Sequence, residues 1–341
     1  MQCLDHIDMD CNDKRVIEKL YWQQTATVRF GDEYSEFFPI KRGVRQGCVL
    51  SPKLFNLYTE KIFNESDELP GCVVGGENLN NLRYADDTAL LAESESALQD
   101  IVDVVRQNSE EKGLSMNVKK TKTMVVCRDE TPDVRIVING QVLEQVKKFK
   151  YLGQWITDDG RCECEIKNRI EIARSTFIKM RDVLISRKLH LEIRKRLVRC
   201  YVLSTFLYAS ESWTLDRQIE DKINAFEMWI FRRMFRITHL DRKTNLEVLE
   251  MAKAKQTLLR TIQERKLQYF GHLIRGKGKQ KLLMEGKIEG TRRKGKQRRT
   301  WTSDVTGWCG SSYTKCVRMA ENRKGWSSMT ADLLIRRWHP Q

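Results

Sequence analysis

Leu82-Arg83-Tyr84-Ala85-Asp86-Asp87-Thr88-Ala89-Leu90-Leu91 is the stretch on which the reading of this chain turns. Two adjacent carboxylates interrupt runs of apolar, strand-favouring residues. A buried or half-buried acid is costly without a partner. Divalent cations are one such partner, because a metal pair held by aspartates activates a hydroxyl nucleophile and steadies a leaving phosphate. The other reading is a plain hairpin turn, where Asp is common. The stretch alone does not choose between them.

Its neighbours narrow the choice. Upstream stands Arg42-Gly43-Val44-Arg45-Gln46-Gly47-Cys48-Val49-Leu50-Ser51-Pro52. Ser51 as N-cap and Pro52 at the first helical position predict a helix whose core side carries Leu54, Phe55, Leu57, Tyr58 and Ile62. Glycines and a glutamine at a loop-to-helix junction allow backbone to approach a planar ligand closely, and Arg42 and Arg45 suit phosphate. Downstream, Gly113-Leu114-Ser115-Met116-Asn117-Val118-Lys119-Lys120-Thr121-Lys122-Thr123 puts a lysine cluster at an expected strand edge. The plainer reading of those lysines is a solvated edge. Tyr151-Leu152-Gly153-Gln154-Trp155-Ile156 reads as an aromatic strand with a glycine in it.

Farther out, Val16, Ile17, Leu20 and Tyr21 mark an amphipathic helix from Asp13. Residues 25–30 and 33–40 form an expected hairpin around Gly31-Asp32. Ser96 and Gln99 make a capping-box pattern for a helix carrying Leu98, Ile101, Val102 and Val105, stopped by Gly113. Further strands are expected at 72–75, 116–126, 134–138 and 141–143. The order predicts an α+β layer with antiparallel pairs. Past Asp158-Asp159-Gly160 the texture turns helical, over 163–185, 190–213, 217–235, 245–251 and 255–274. Residues 276–299 read as a basic connector holding Arg292, Arg293, Lys294, Lys296, Arg298 and Arg299. Phosphate contact, a nuclear-import-like run and a disordered tether all fit that composition.

Sixty-one Lys and Arg against 46 Asp and Glu leave a charge of +15, which favours a polyanionic partner, nucleic acid ahead of anionic membrane. No stretch approaches the ~20 uncharged apolar residues of a membrane helix, and the first residues are not those of a signal peptide. An intracellular protein of nucleus or cytoplasm, with no membrane partner, is therefore expected. Ten cysteines spread along 341 residues read as free thiols. Cys162 with Cys164, and Cys309 with Cys316 and distant His339, lack the spacing of a zinc knuckle or finger. Trp213, Trp229, Phe231, Phe235, Tyr269 and Phe270 alternate with Arg232, Arg233, Arg236, Arg260, Arg265 and Lys266. Such interleaving suits a surface that tracks a duplex, or else a core with a solvated charged face.

In order and spacing, residues 42–52, 84–87, 113–122 and 151–153 resemble the successive palm motifs of non-LTR retrotransposon reverse transcriptases. Residues 206–213, 226–236, 265–275 and 285–301 also look like that family, so the resemblance runs from about Asp13 onward. It implies a partial right-hand polymerase palm over 1–160, a helical thumb and following region over 161–275, and a connector and tail over 276–341. It implies RNA-directed DNA polymerase activity with Mg2+ (or Mn2+), deoxynucleoside triphosphates, an RNA template and an RNA–DNA or DNA duplex. Asp86, with Asp87 beside it, would hold the metal, and Tyr84 and Ala85 would lie beneath the primer end. Gln46 and Gly47 would border the incoming nucleotide, and one of Lys119, Lys120 and Lys122 would act at the triphosphate. Tyr151, Leu152 and Gly153 would grip the primer.

One departure matters. The family places a further aspartate on an earlier palm strand, in an acidic, apolar and aromatic context. Asp5, Asp8 and Asp10 stand in Leu4-Asp5-His6-Ile7-Asp8-Met9-Asp10-Cys11, without the aromatic neighbour. Fingers and endonuclease regions are not recognised either. The expectation is weak or absent polymerase activity for this chain alone, with a non-catalytic nucleic-acid-binding remnant of a retroelement as the alternative. Residues 1–160 are further expected to be less stable than the helical part.

Overall fold

The computed structural model describes residues 9–127, 131–255, 257–286 and 298–338. Asp5, Asp8, Arg292, Arg293, Lys294, Lys296 and His339, named above, lie outside these. The chain divides into two compact units, residues 1–123 with 134–144, and residues 124–133 with 145–341.

The first unit opens with α1 (Cys11–Tyr21), and Asp10 is its N-cap, accepting from the Asn12 N–H at 2.7 Å. None of its residues is buried, so the apolar stripe expected to face a core is open. Strands β1 (Thr25–Ala26) and β4 (Phe38–Pro39) pair antiparallel, as do β2 (Arg29–Phe30) and β3 (Glu33–Tyr34) around Gly31-Asp32. Next comes α2 (Ser51–Phe63), with Pro52 in its first turn as expected but Leu50 rather than Ser51 at the cap position. The Ser51 hydroxyl is engaged elsewhere, 3.0 Å from the Tyr21 hydroxyl.

Two hairpins follow, β5 (Cys72–Val74) with β6 (Glu77–Leu79) and β7 (Asn81–Tyr84) with β8 (Asp87–Leu90). They lead to α3 (Glu95–Glu111), capped by Ser94, not Ser96. Gln99 instead reaches sideways: its amide donates to the Val137 carbonyl and accepts from the Val137 N–H, at 2.9 and 2.8 Å, like one more strand residue. Gly113, at φ 71, ends the helix. Of the strand expected at 116–126 only β9 (Lys122–Thr123) forms; residues 118–120 make a turn, where the Thr121 N–H folds back onto the Asn117 carbonyl. Strands β10 (Val137–Ile138) and β11 (Gln141–Val142) close on Asn139-Gly140, both at positive φ as a type I′ turn requires. β12 (Glu144–Gln145) leads out of the unit. The core is small: Ile62, Phe63, Ile101 and Val105 in one cluster, Val102, Ile136, Ile138 and Leu143 in another.

The second unit begins with a hairpin, β13 (Lys148–Tyr151) and β14 (Gln154–Thr157). Contacts with the following helix hold this hairpin within the second unit. The expected helix 163–185 breaks at Met180 into α4 (Glu163–Lys179) and α5 (Arg181–Leu184). That at 190–213 is α6 (Leu191–Leu197), a π-helical turn (Val198–Leu203) and α7 (Ser204–Phe206), after which Ala209 at φ 54 redirects the chain. α8 (Arg217–Phe235), α9 (Asn245–Met251) and α10 (Leu258–Arg275) come next. The stretch expected as connector and tail contains α11 (Lys279–Glu285), α12 (Trp301–Cys309), α13 (Tyr313–Glu321) and α14 (Arg323–Trp338).

These last helices are part of the core. Val305, Trp308, Cys316, Ala320 and Trp326 are buried with Phe177, Phe206, Trp213, Phe226 and Phe270 in one cluster. Each such large side chain contributes roughly 1.5–3 kcal/mol by leaving water. Gly271 of α10 lets Trp326 pack flat, for a Cβ there would lie 2.6 Å from the indole, whose N–H donates to the Leu267 carbonyl at 2.9 Å. Of the aromatics read as either core or stacking surface, Trp213 and Phe270 are core, whereas Trp229, Phe231, Phe235 and Tyr269 are only half-buried. Among the described residues no helix is long and apolar enough to cross a membrane.

Candidate functional site

In the first unit the paired carboxylates sit at the tip of the β7–β8 hairpin. Tyr84 pairs with Asp87, leaving Ala85-Asp86 as a two-residue loop. Ala85 has φ 53, a left-handed conformation that glycine normally takes and that costs another residue about 1–2 kcal/mol. The base of the hairpin is anchored: the Arg83 guanidinium lies 4.7 Å from the Phe63 ring centre and 3.3 Å from Glu60 Oε2, both on α2. The tip is bare. Tyr84 is 66% exposed, Leu82 41%, and Ala85, Asp86 and Asp87 are exposed too.

The loop that opens α2 is fixed by α1. Arg45 donates to the Gln24 side chain at 3.1 Å and to the Leu20 carbonyl at 2.9 Å. The Tyr21 hydroxyl donates to Cys48 Sγ at 3.5 Å. That bond, with the N–H groups of Leu50 and Ser51 at the start of α2, pulls the Cys48 thiol down to about 7. Gln46 and Gly47 are exposed, and Gly43 and Gly47 take positive φ with open space beside them. Arg42 comes close to Gly113: a Cβ on that glycine would be 3.8 Å from the guanidinium. The Tyr58 hydroxyl, midway along α2, donates to the Lys112 carbonyl and ties the end of α3 to this helix.

The lysines separate. Lys122 Nζ is 2.6 Å from Glu144 Oε2, whereas Lys119 and Lys120 are exposed on the turn before β9. Of the early aspartates, Asp10 is spent on capping α1.

Tyr151, Leu152 and Gly153 belong to the second unit, and the stretch read as one aromatic strand is bent in the middle. Leu152 (φ 47) and Gly153 (φ 79) form the turn between β13 and β14. Both carbonyls of the turn are taken: the Tyr208 hydroxyl donates to Leu152 at 3.0 Å and Arg169 Nη2 to Gly153 at 2.5 Å. Arg169 in turn stacks 4.4 Å from the Tyr208 ring centre and pairs with Glu165, which also accepts from the Trp155 N–H at 2.8 Å. Sequence reasoning did not select Glu165, Arg169 or Tyr208. Only the i, i+4 spacing of Glu165 and Arg169 on a helix was visible, and that spacing more often marks a surface pair.

Asp86 and Asp87 offer adjacent, exposed carboxylate oxygens, a donor set that fits Mg2+ or Mn2+ when substrate phosphates and water complete the shell. Among the described residues they are not part of a group of three or more His, Cys, Asp or Glu that could hold a metal ion. A two-metal centre takes more oxygens than this tip supplies.

Residues 2–156 match the family described as "Reverse transcriptase (RNA-dependent DNA polymerase)". The chain is 29% identical over 215 residues to a putative uncharacterized transposon-derived protein of Caenorhabditis elegans, covering 60% of this chain and 75% of that one. It is 31% identical over 145 residues to the "Retrovirus-related Pol polyprotein from type-1 retrotransposable element R2" of Nasonia vitripennis, 40% of this chain and 14% of that one. It is 25% identical over 203 residues to the "RNA-directed DNA polymerase from mobile element jockey" of Drosophila funebris, 57% of this chain and 22% of that one. The chain thus spans less than a quarter of these R2 and jockey proteins. Residues 2–156 carry the reverse transcriptase resemblance, and the chain is similar to proteins named for the R2 and jockey retrotransposable elements.

Proposed function

We propose that this chain carries the primer- and nucleotide-handling part of an RNA-directed DNA polymerase, with Asp86 and Asp87 as its metal-holding residues. The observation that carries the reading is the bare hairpin tip, where two carboxylates and an exposed tyrosine stand on an anchored base. Mg2+ (or Mn2+), when bound, supplies the positive charge that polarises the triphosphate. The primer hydroxyl displaces pyrophosphate from a deoxynucleoside triphosphate, directed by an RNA template. Tyr84 and Ala85 lie under the primer end; Gln46 and Gly47 border the incoming nucleotide, and Arg42 meets phosphate. Lys119 or Lys120 donates the proton that pyrophosphate needs, in preference to Lys122, whose ammonium is occupied by Glu144. The 152–153 turn, in the other unit, grips the primer backbone. Because two neighbouring carboxylates under-ligate a metal pair, extension by the 341-residue chain is slow. A second reading, nucleic-acid binding without chemistry, is favoured by the same shortage of ligands and by the charge of +15.

The test is primer extension on an RNA template with magnesium, then manganese, beside Asp86→Ala. Extension lost in Asp86→Ala supports the polymerase reading. Equal extension by both proteins overturns the assignment of Asp86. No extension with RNA binding intact selects the second reading.

A further inference from the structure

The helical unit holds a concavity that the proposed chemistry does not use. On α8, Ala225, Met228, Trp229, Arg232 and Arg233 recur at three- and four-residue spacing and share one face. The helix ends at Arg236 in a left-handed conformation (φ 61), which turns residues 237–239 back across that face. A second left-handed residue, Arg242 (φ 45), reverses the chain again, and Thr244 caps α9. Asn245 is thereby delivered to Arg232, whose Nη2 donates to its side-chain oxygen and to the Lys243 carbonyl, each at 2.9 Å. The result is a bowl of about 570 Å3, within the ~300–1,000 Å3 of small-molecule sites.

Its chemistry is one-sided. Met228 and Trp229 make an apolar, planar floor, and Arg232 and Arg233 make a cationic rim with His239 beside them. Trp229 is half-buried and fixed from behind by Phe226 and Phe177, with ring centres 6.1 and 5.2 Å away. Arg174 and Arg233 lie 5.4 and 5.7 Å from its ring centre. Among the described residues no carboxylate pairs with Arg232 or Arg233; the nearby acids are engaged, Asp241 by Thr238 and Glu247 by Lys243 and Thr244. An aromatic platform beside two uncompensated guanidiniums is what a base and its phosphate need, and duplexes keep their bases stacked away from such a floor.

We infer that this bowl binds one unstacked nucleotide of a single strand, its base on Trp229 and its phosphate on Arg232, Arg233 and His239. The inference rests on the proposed nucleic-acid partner but not on any chemistry at Asp86. RNA and DNA strands share the ligand chemistry, and the arms of the test separate them.

The full chain is titrated by fluorescence anisotropy with oligouridylate, oligothymidylate and a short RNA duplex, across a range of salt. Arg232→Gln with Arg233→Gln is compared with a charge-matched pair of exposed residues that do not line the bowl, Arg187→Gln with Lys188→Gln. Arg233→Gln alone, at an exposed position, guards against loosening of α9. The expected result is a loss of about tenfold or more for single strands in the bowl pair, and a salt slope shallower by about 1.4 for two lost phosphate contacts. Duplex binding and the control pair change by less than about threefold. Oligouridylate bound more tightly than oligothymidylate names RNA as the source, and the reverse names DNA. Equal losses in both pairs, or equal losses for single strand and duplex, overturn the bowl while leaving nucleic-acid binding standing. Failure of the parent chain to bind any probe overturns both.

Discussion

Asp304→Asn tests how the C-terminal helices are fastened to the rest of the helical unit. Lys266 on α10 and Asp304 on α12 are both 0% exposed, with Nζ and Oδ2 2.5 Å apart. The same carboxylate accepts from the Leu215 N–H at 2.9 Å and from Arg299 at 2.5 Å, and Lys266 also donates to the Trp213 carbonyl. Burial pulls the Lys266 ammonium down from 10.5 to about 8, against the opposing pull of Asp304. Removing the negative charge leaves that ammonium unsupported, which typically costs 3–5 kcal/mol. The lysine has an escape, since releasing its proton at pH 7 from a value near 8 costs only about 1.4 kcal/mol. To this is added roughly 1.5–3 kcal/mol for the charged hydrogen bonds of Arg299 and Leu215. The expected destabilisation is therefore about 3–4 kcal/mol at pH 7. Lys266→Met with Asp304→Leu, which removes both charges, is expected to cost far less, or nothing. The sign with pH follows: the folded chain holds this proton less tightly than the unfolded one, so the stability of the parent rises as pH goes from about 8 towards 10.5. Urea unfolding followed by tryptophan emission, with amide exchange over α10, α12 and α13, reads both effects. An Asp304→Asn change within about 0.5 kcal/mol of the parent, or a double variant worse than the single, refutes the reasoning.

Ala85→Gly relieves a left-handed alanine and is expected to raise the stability of the first unit by about 1 kcal/mol, seen as slower amide exchange at β7 and β8. No change there would mean that the turn is not strained. Glu165→Gln leaves buried Arg169 without its carboxylate and is expected to cost about 3 kcal/mol, speeding exchange in β13 and β14 while β10 and β11 stay as they were. Cys48 should be alkylated by iodoacetamide half-maximally near pH 7, because its thiolate persists above that value, and Tyr21→Phe should move the midpoint upward. Peptide-resolved mass spectrometry measures this, and an unchanged midpoint would contradict the role given to the tyrosine hydroxyl.

Local signals read well where one residue type has one reason to be present. Gly31-Asp32 announced a hairpin, and Gly113 ended a helix, because only a few residues tolerate positive φ. The signals misled where several residues were equivalent: Ser94 and Ser96 are both competent caps, and the helix chose the first. The turn at Leu152-Gly153 was hidden by its strand-like neighbours, and leucine gives no warning of φ 47. Basic composition masked α12 and α13, although Trp301, Trp308 and Trp326 were available to argue for a core. For the site, the linear pair Asp86-Asp87 and the 42–52 loop were visible. Arg169 and Tyr208 were not, since their role arises from contacts across more than a dozen residues.

The two turns that bear the candidate residues are supported in opposite ways, and this fixes what each can offer a ligand. At Leu152-Gly153 the carbonyls are consumed by Tyr208 and Arg169. The backbone groups left to a ligand there are N–H donors, and donors of that kind select phosphate oxygens. At Ala85-Asp86 the anchoring stops at Arg83, and the tip presents carboxylates and a tyrosine ring. Such a tip repels phosphate unless a cation intervenes. A polyanionic strand can therefore meet the first turn directly, whereas at the second it needs a divalent ion. Binding that survives chelation while any nucleotide-dependent step does not is the pattern this asymmetry demands, and binding abolished by chelator would contradict it.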